Sequence, residues 1–298
     1  MKKILIVIIF IYSILNAGGN LKILAPATPS SIPVIIAAQN REWKVNLFMN
    51  HSKAHSMFIN NKADILITGL SVGKKFFEQQ IPVKIVNTYV SGLSYLVSYN
   101  ERTTGFRNLK NKTVYLPFKG SPLEEVTKYF IRQEGLDWKQ DFDIQYAPFS
   151  SSVNLLLDKK IENVVLPEPF VSSALNNNKS INVVFSYKEL WNKYTNEKNG
   201  YPQVACFIKS DKDFDSQLIN EYNKSLQEGI QLVRAYPDSA VKLVIDRFNF
   251  SQGVLLGAIN RTEFLLLTGD SLKHEIYSYY KILGKPLNET YQDFFLDY

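Results

Sequence analysis

Cysteine is nearly absent from this chain of 298 residues: Cys206 is the single one, so no intramolecular disulfide is available. No cysteine lies near the amino terminus either, which excludes a lipid anchor of the bacterial lipoprotein type. Histidine is scarce, at three positions (His51, His55 and His274). A strong excess of either charge is lacking too, with 34 basic against 28 acidic residues. The lysines are dispersed (Lys74-Lys75, Lys110 and Lys112, Lys159-Lys160) instead of forming the concentrated stripe that nucleic-acid binding needs. Gly-x-Ser-x-Gly, the phosphate-binding loop and the dinucleotide fingerprint are all missing, and no convincing active site is left.

One long apolar run is present, and it is too short to span a bilayer comfortably. Lys2 and Lys3 precede Ile4–Ile14, which is broken only by Tyr12 and Ser13, and Leu15-Asn16-Ala17 offers a cleavage site. That pattern is a secretory signal over residues 1–17, so the mature chain is expected to be soluble and exported. Without Lys2 and Lys3, 32 basic residues remain against 28 acidic, a mildly positive solvated surface. About 280 residues exceed one typical core and point to two lobes.

Strand-length apolar runs alternate with helical patterns over the rest of the chain. Strands are expected near Leu21–Leu24, Lys44–Phe48, Ala63–Thr68, Val83–Val90 and Leu93–Tyr99, with helices between the first three. Further strands follow at Thr113–Phe118, Asp143–Ala147, Asn163–Leu166 and Asn182–Phe185. Trp191–Gly200 reads as polar and irregular, Gln203–Ile208 as a returning strand, and everything from Ser216 onward as helical. The order predicts an α/β fold of mixed, mainly parallel sheets flanked by helices. The first lobe looks unfinished by residue 99, so one lobe is expected to be inserted within the other. The predicted division is 18–97 plus 206–298 against 98–205, with crossings near Tyr95–Asn100 and Val204–Phe207 forming a hinge.

Chemistry concentrates at the strand-to-helix turns. The clearest is Lys119-Gly120-Ser121, where Ser121-Pro122-Leu123-Glu124 opens a helix in the capping-box pattern. Thr28-Pro29-Ser30-Ser31, Gly69-Leu70-Ser71 and Ser150-Ser151-Ser152 place hydroxyls or glycine at other helix starts. In open α/β sheets ligands collect at the carboxyl ends of strands, where such turns lie. Capping alone accounts for any one turn, at about 1 kcal/mol each; convergence of several favours binding. Glu168, held between Pro167 and Pro169, is a candidate acceptor for a ligand amine or amide, or a first-turn acid on the helix dipole. Lys119 points toward an anionic ligand instead, so the sign of the ligand stays open. His51 and His55 are spaced i, i+4, but Ser52-Lys53-Ala54 between them lacks the metalloprotease glutamate, and no metal is expected. Cys206, in Val204-Ala205-Cys206-Phe207, is expected to be a buried inert thiol.

Several segments in order resemble the periplasmic solute-binding proteins of ABC importers, in the nitrate, taurine, sulfonate and thiamine-precursor branch. They are Leu21–Pro26, Asn61–Gly69, Leu109–Val114, Leu155–Leu157 with Asn163–Phe170, and Ala258–Arg261 with Thr268-Gly269. The resemblance implies a two-lobed periplasmic-binding-protein-like fold that closes by a hinge around a small-molecule ligand. Carried over by position, the ligand-facing candidates are Ser30, Ser31, Gly69, Ser71, Lys119, Gly120, Ser121 and Glu168. It also implies a periplasmic monomer, an inner-membrane ABC permease as partner, and no cofactor. The Trp-Asp-Pro form of the Glu168 segment, found in some sulfonate and nitrate binders, is missing. Enzymes on the same fold, of the menaquinone-pathway dehydratase or pyrimidine-synthase kind, and ligand-presenting sensory modules are the alternatives.

Overall fold

The computed structural model describes residues 20–39, 41–99, 103–195, 197–212 and 214–296, and the signal segment read over 1–17 lies outside them. The chain runs β1 (Lys22–Pro26), α1 (Ile32–Ala38), β2 (Lys44–Phe48), α2 (His51–Ile59), β3 (Ile65–Gly69), α3 (Leu70–Glu78) and β4 (Val83–Gly92). It continues through β5 (Ser94–Ser98), β6 (Lys112–Leu116), α4 (Pro122–Gln133), β7 (Phe142–Tyr146), α5 (Phe149–Leu157), β8 (Val164–Pro167), α6 (Phe170–Asn177), β9 (Asn182–Ser186) and α7 (Tyr187–Thr195). β10 (Val204–Lys209), α8 (Ser216–Ala235), α9 (Pro237–Val244), α10 (Gln252–Arg261), β11 (Glu263–Leu267) and α11 (Gly269–Ile282) complete it.

The described strands form two mixed sheets, ordered β11-β4-β10-β3-β1-β2 and β7-β6-β8-β5-β9. In the first, β1 is parallel to β2 and β3, while β10 and β11 run against their neighbours. In the second, β6 is parallel to β7 and β8, and β5 runs against β8 and β9.

Strand alternation explains why each sheet is covered on both faces. Ile23, Ala25, Ile65, Ile67, Cys206 and Ile208 point into a core completed by α1 and α8 through Ile32, Ile35, Tyr222 and Leu226. Their neighbours Leu24, Leu66, Ala205 and Phe207 point the other way, onto Phe58, Leu70, Leu272 and Ile276. The second sheet repeats this: Leu96, Val114 and Leu116 pack with Val126 and Phe130, whereas Val97, Val164 and Leu166 pack with Val153, Leu156 and Val171. Each such side chain contributes about 1.5–3 kcal/mol on full burial, and a one-residue slip would exchange the two faces, so register is strongly specified.

Three expectations need correction. Tyr187–Thr195 is the helix α7, although its far part was read as irregular: Tyr187, Leu190 and Trp191 are buried on one face, and Trp191 packs on the rings of Tyr129, Tyr201 and Tyr279. Tertiary burial overrides the polar composition there. Glu263–Leu267 is a strand in a region read as all helical; a short apolar run is ambiguous by periodicity, and antiparallel pairing with β4 decides it. Both expected crossings fall inside strands. β5 hydrogen-bonds to β8 and β9 in the second sheet, and β10 lies wholly in the first, so the chain crosses at Leu93 and again over residues 199–203. Among the described residues no helix is long and apolar enough to cross a membrane.

Candidate functional site

The two crossings lie side by side and are tied together. Tyr201 N–H donates to the Ser91 carbonyl at 3.0 Å and Gln203 N–H to that of Val90 at 2.9 Å. The Gln203 side chain accepts from Leu93 N–H at 2.8 Å and donates to Ser94 Oγ and Tyr201 Oη, both at 3.1 Å. Gly200 is required here: its φ is +81°, and a Cβ would sit 2.1 Å from the Ser91 carbonyl oxygen.

Strand registers bring carboxyl ends to this junction from both sheets. Gly69, the last residue of β3, pairs with Val204, the first of β10. β4 ends at Gly92, opposite Glu263, and Pro167, the last residue of β8, pairs with Ser94 just beyond the crossing. Ser30 and Ser31 follow β1, which is bonded to β3, while Lys119–Ser121 follow β6, which is bonded to β8. The predicted residues therefore fall on adjacent strand ends within each sheet. Across the sheets α10 links them, packing against both the Pro29–Ser31 turn and α6.

Their local roles differ. Ser31 Oγ donates to the Pro26 carbonyl at 2.6 Å, and Ser30 Oγ lies 2.8 Å from Thr28 Oγ1. Gly69 is the N-cap of α3, and Leu70 N–H, the first of that helix, is taken by the Gln203 carbonyl at 3.0 Å. Ser71 is half-buried on that same first turn. Ser121 Oγ caps α4 by accepting from Glu124 N–H at 3.1 Å. The Glu124 carboxylate returns to Gly120 N–H and also bonds Lys128 and Tyr146 Oη. Burial alone would raise the Glu124 pKa, but Lys128, Gly120 and Tyr146 outweigh it and hold the carboxyl below its usual range. The helix start that reads as an anion cradle thus carries its own anion, with Lys119 exposed beside it.

Glu168 occupies the other turn and is almost wholly buried. Its Oε2 accepts from Ser172 N–H at 3.1 Å and Ser172 Oγ at 2.7 Å, and its Oε1 accepts from Arg261 Nε at 2.6 Å. Arg261 also donates to Ser172 Oγ at 2.7 Å and sits at the end of α10, the helix that leads into β11 of the first sheet. Burial pushes the Glu168 carboxyl above its usual value, only partly opposed by Arg261 and Ser172. α10 approaches α6 closely because position 257 is glycine: a Cβ there would come within 3.0 Å of Ser172 Oγ and 2.7 Å of the Arg261 guanidinium. Tyr95 Oη bonds the Arg261 carbonyl, and Lys188 meets Glu263 at 2.6 Å, so two further contacts join the sheets here.

No family model and no curated protein matches the chain by sequence. Solved structures do match over almost its whole length. An ABC transporter structure from Parabacteroides distasonis is 20% identical, covers 93% of this chain and 98% of its own, and superposes with a TM-score of 0.76. The periplasmic aliphatic sulphonate-binding protein of Escherichia coli is 14% identical over 93% and 92%, with a TM-score of 0.71. A Candida albicans protein described as having the generic periplasmic binding protein fold is 16% identical over 91% and 92%, with a TM-score of 0.61. This chain has the periplasmic-binding-protein fold.

Within that fold, sequence reasoning passed over several residues at the strand ends. Met49, Phe118 and Tyr146 are exposed large apolar side chains at or just past the ends of β2, β6 and β7. Phe118 stands directly before the Lys-Gly turn, a local signal that was available; Met49 and Tyr146 carry none. Arg261 belongs to one of the segments that carry the resemblance, yet nothing local marks it as a site residue or points to its partner 93 positions away. Cys206 is the buried thiol expected, 3.1 Å from Tyr222 Oη, with its pKa pushed up to about 12 by burial. A surface depression of about 570 Å3 lined by Phe77, Ile81, Lys84 and Tyr291 holds none of the predicted site residues.

Proposed function

We propose that this chain is the solute-binding component of an ABC importer, with a lobe around each sheet and a small organic solute held between them. The observation that carries the reading is the convergence of the β3, β4 and β8 carboxyl ends on two adjacent crossings. Ligands of α/β sheets sit at such ends, and paired crossings make a hinge. Likeness in fold to a solved ABC transporter structure and to a periplasmic sulphonate-binding protein supports it. Closure then works by population shift: contacts that the solute makes with both lobes exist only in the closed form and favour it. The closed form is what a membrane permease receives, and the chain acts in the periplasm as a monomer after loss of residues 1–17.

Ser30, Ser31, Gly69, Ser71, Lys119, Gly120, Ser121 and Glu168 remain the proposed walls of the cleft. Since Glu124 satisfies one helix start and Arg261 pairs with Glu168, the buried glutamates of both second-sheet turns are compensated internally, while Lys119 stays exposed. Phe118, Tyr146 and Met49 at the strand ends favour a solute with an apolar or aromatic body. Native mass spectrometry of the chain purified from its own cells tests this. One retained small molecule, lost on denaturation, is expected. A chain that carries nothing and is stabilised by no member of a broad solute library would overturn the reading.

A further inference from the structure

His51 and His55 are not used by the reading above, and their geometry has a chemical meaning of its own. Both stand on the first turns of α2, which begins just past the carboxyl end of β2 and is fixed by Asn50, whose side chain accepts from Lys53 N–H at 2.9 Å. Spacing i, i+4 puts them on one helix face, and their ring centroids are 5.9 Å apart with planes at 69°. Each ring is held by an aromatic edge: Phe48 against His51 at 5.1 Å and Phe76 against His55 at 5.3 Å, both nearly perpendicular.

Hydrogen bonding leaves lone pairs available. Among the described residues His51 makes no hydrogen bond, and His55 has one contact, between Nε2 and the buried Thr68 Oγ1 at 3.4 Å. A histidine that gives one ring N–H to an oxygen presents its other nitrogen as a ligand, the usual arrangement around bound metal. The spacing is close to what one shared ion needs. With nitrogen about 2.0–2.1 Å from a cation, each ring centroid lies roughly 3.2 Å from it, so two rings sharing one ion have centroids at most about 6.4 Å apart. At the nitrogen–metal–nitrogen angles of square-planar to tetrahedral sites, about 90–110°, the centroids would lie roughly 4.5–5.2 Å apart. A modest rotation of the two rings closes the observed 5.9 Å onto one ion.

We propose that His51 and His55 form a two-imidazole chelate for a late first-row divalent cation, with copper(II) bound most tightly and nickel(II) and zinc(II) less so. Among the described residues no set of three His, Cys, Asp or Glu side chains gathers around a metal position, so water or another molecule's donors complete the coordination and the ion exchanges. The proposal stands apart from the importer reading, because it concerns two side chains on one helix.

The test is titration of untagged full-length protein with copper(II) chloride in a non-chelating buffer, followed by calorimetry and electron paramagnetic resonance. One ion per chain is expected, with hyperfine coupling to two imidazole nitrogens in the unaltered protein. His51→Gln and His55→Gln are each expected to weaken binding by more than about tenfold, the least that loss of even an outer partner costs. His274→Gln, on α11, is expected to change nothing. No uptake, no nitrogen coupling, or affinity unchanged when both residues are replaced would overturn the proposal. The resonance spectrum reads the unaltered protein, so the outcome does not depend on how the variants fold.

Discussion

Two turns of the second sheet begin alike and end differently. After β6 the chain passes Gly120-Ser121 into α4; after β8 it passes Pro167-Glu168 into α6. Each places a buried glutamate near the start of its helix, in a field that favours negative charge. Glu124 is satisfied locally, by Gly120, Lys128 and Tyr146. Glu168 bonds Ser172 beside it but spends its other oxygen on Arg261, which α10 brings from the first sheet. The first turn is therefore a closed cap, and the second is a clamp between sheets. Motif strength ranks them the other way round, since the capping box is the clearer sequence signal.

The comparison is broken most severely at Arg261. Arg261→Ala leaves Glu168 buried with Ser172 alone and is expected to cost about 3 kcal/mol in urea unfolding, the low end for removing one partner of a buried pair because Arg261 is 31% exposed. Ser121→Ala removes an ordinary N-cap and should cost about 1 kcal/mol in the same measurement. Lys128→Ala, whose side chain is 46% exposed, should cost less than about 1 kcal/mol. A Lys128 loss matching that of Arg261 would erase the distinction.

A finer test uses opposite pKa shifts. Glu124 is held below the ordinary 4.5, so its contribution is present above that pH and lost as pH falls through the folded value. Glu168 is raised, so its contribution is full below 4.5 and is lost as pH rises through the folded value. Between about pH 4 and about pH 7, the destabilisation by Glu124→Gln should grow and that by Glu168→Gln should shrink, as read from urea midpoints at each pH.

Much of the architecture was legible because its signals are local. Lys44–Phe48 is a strand over its full expected range, and the returning run at Gln203–Ile208 forms β10, between β4 and β3 in the first sheet. Capping by Ser121 and the inert burial of Cys206 followed from immediate neighbours. What escaped depends on distant partners. β5 resembles any apolar strand, and only its pairing with β8 and β9 assigns it to the second sheet. α7 is helical because Trp191 meets three aromatic rings from elsewhere in the chain. Glu168 was singled out from its two prolines, yet its partner Arg261 could not be read from either segment.

The most direct measurement is the distance between spin labels at Met49→Cys and Lys119→Cys, exposed positions past strand ends of different sheets. Cys206 is fully buried and stays unlabelled. If Glu168–Arg261 clamps the two sheets, Arg261→Ala should lengthen and broaden that distance distribution, and Lys128→Ala should leave it as in the unaltered chain. Identical distributions in the Arg261→Ala protein and its parent would contradict the clamp.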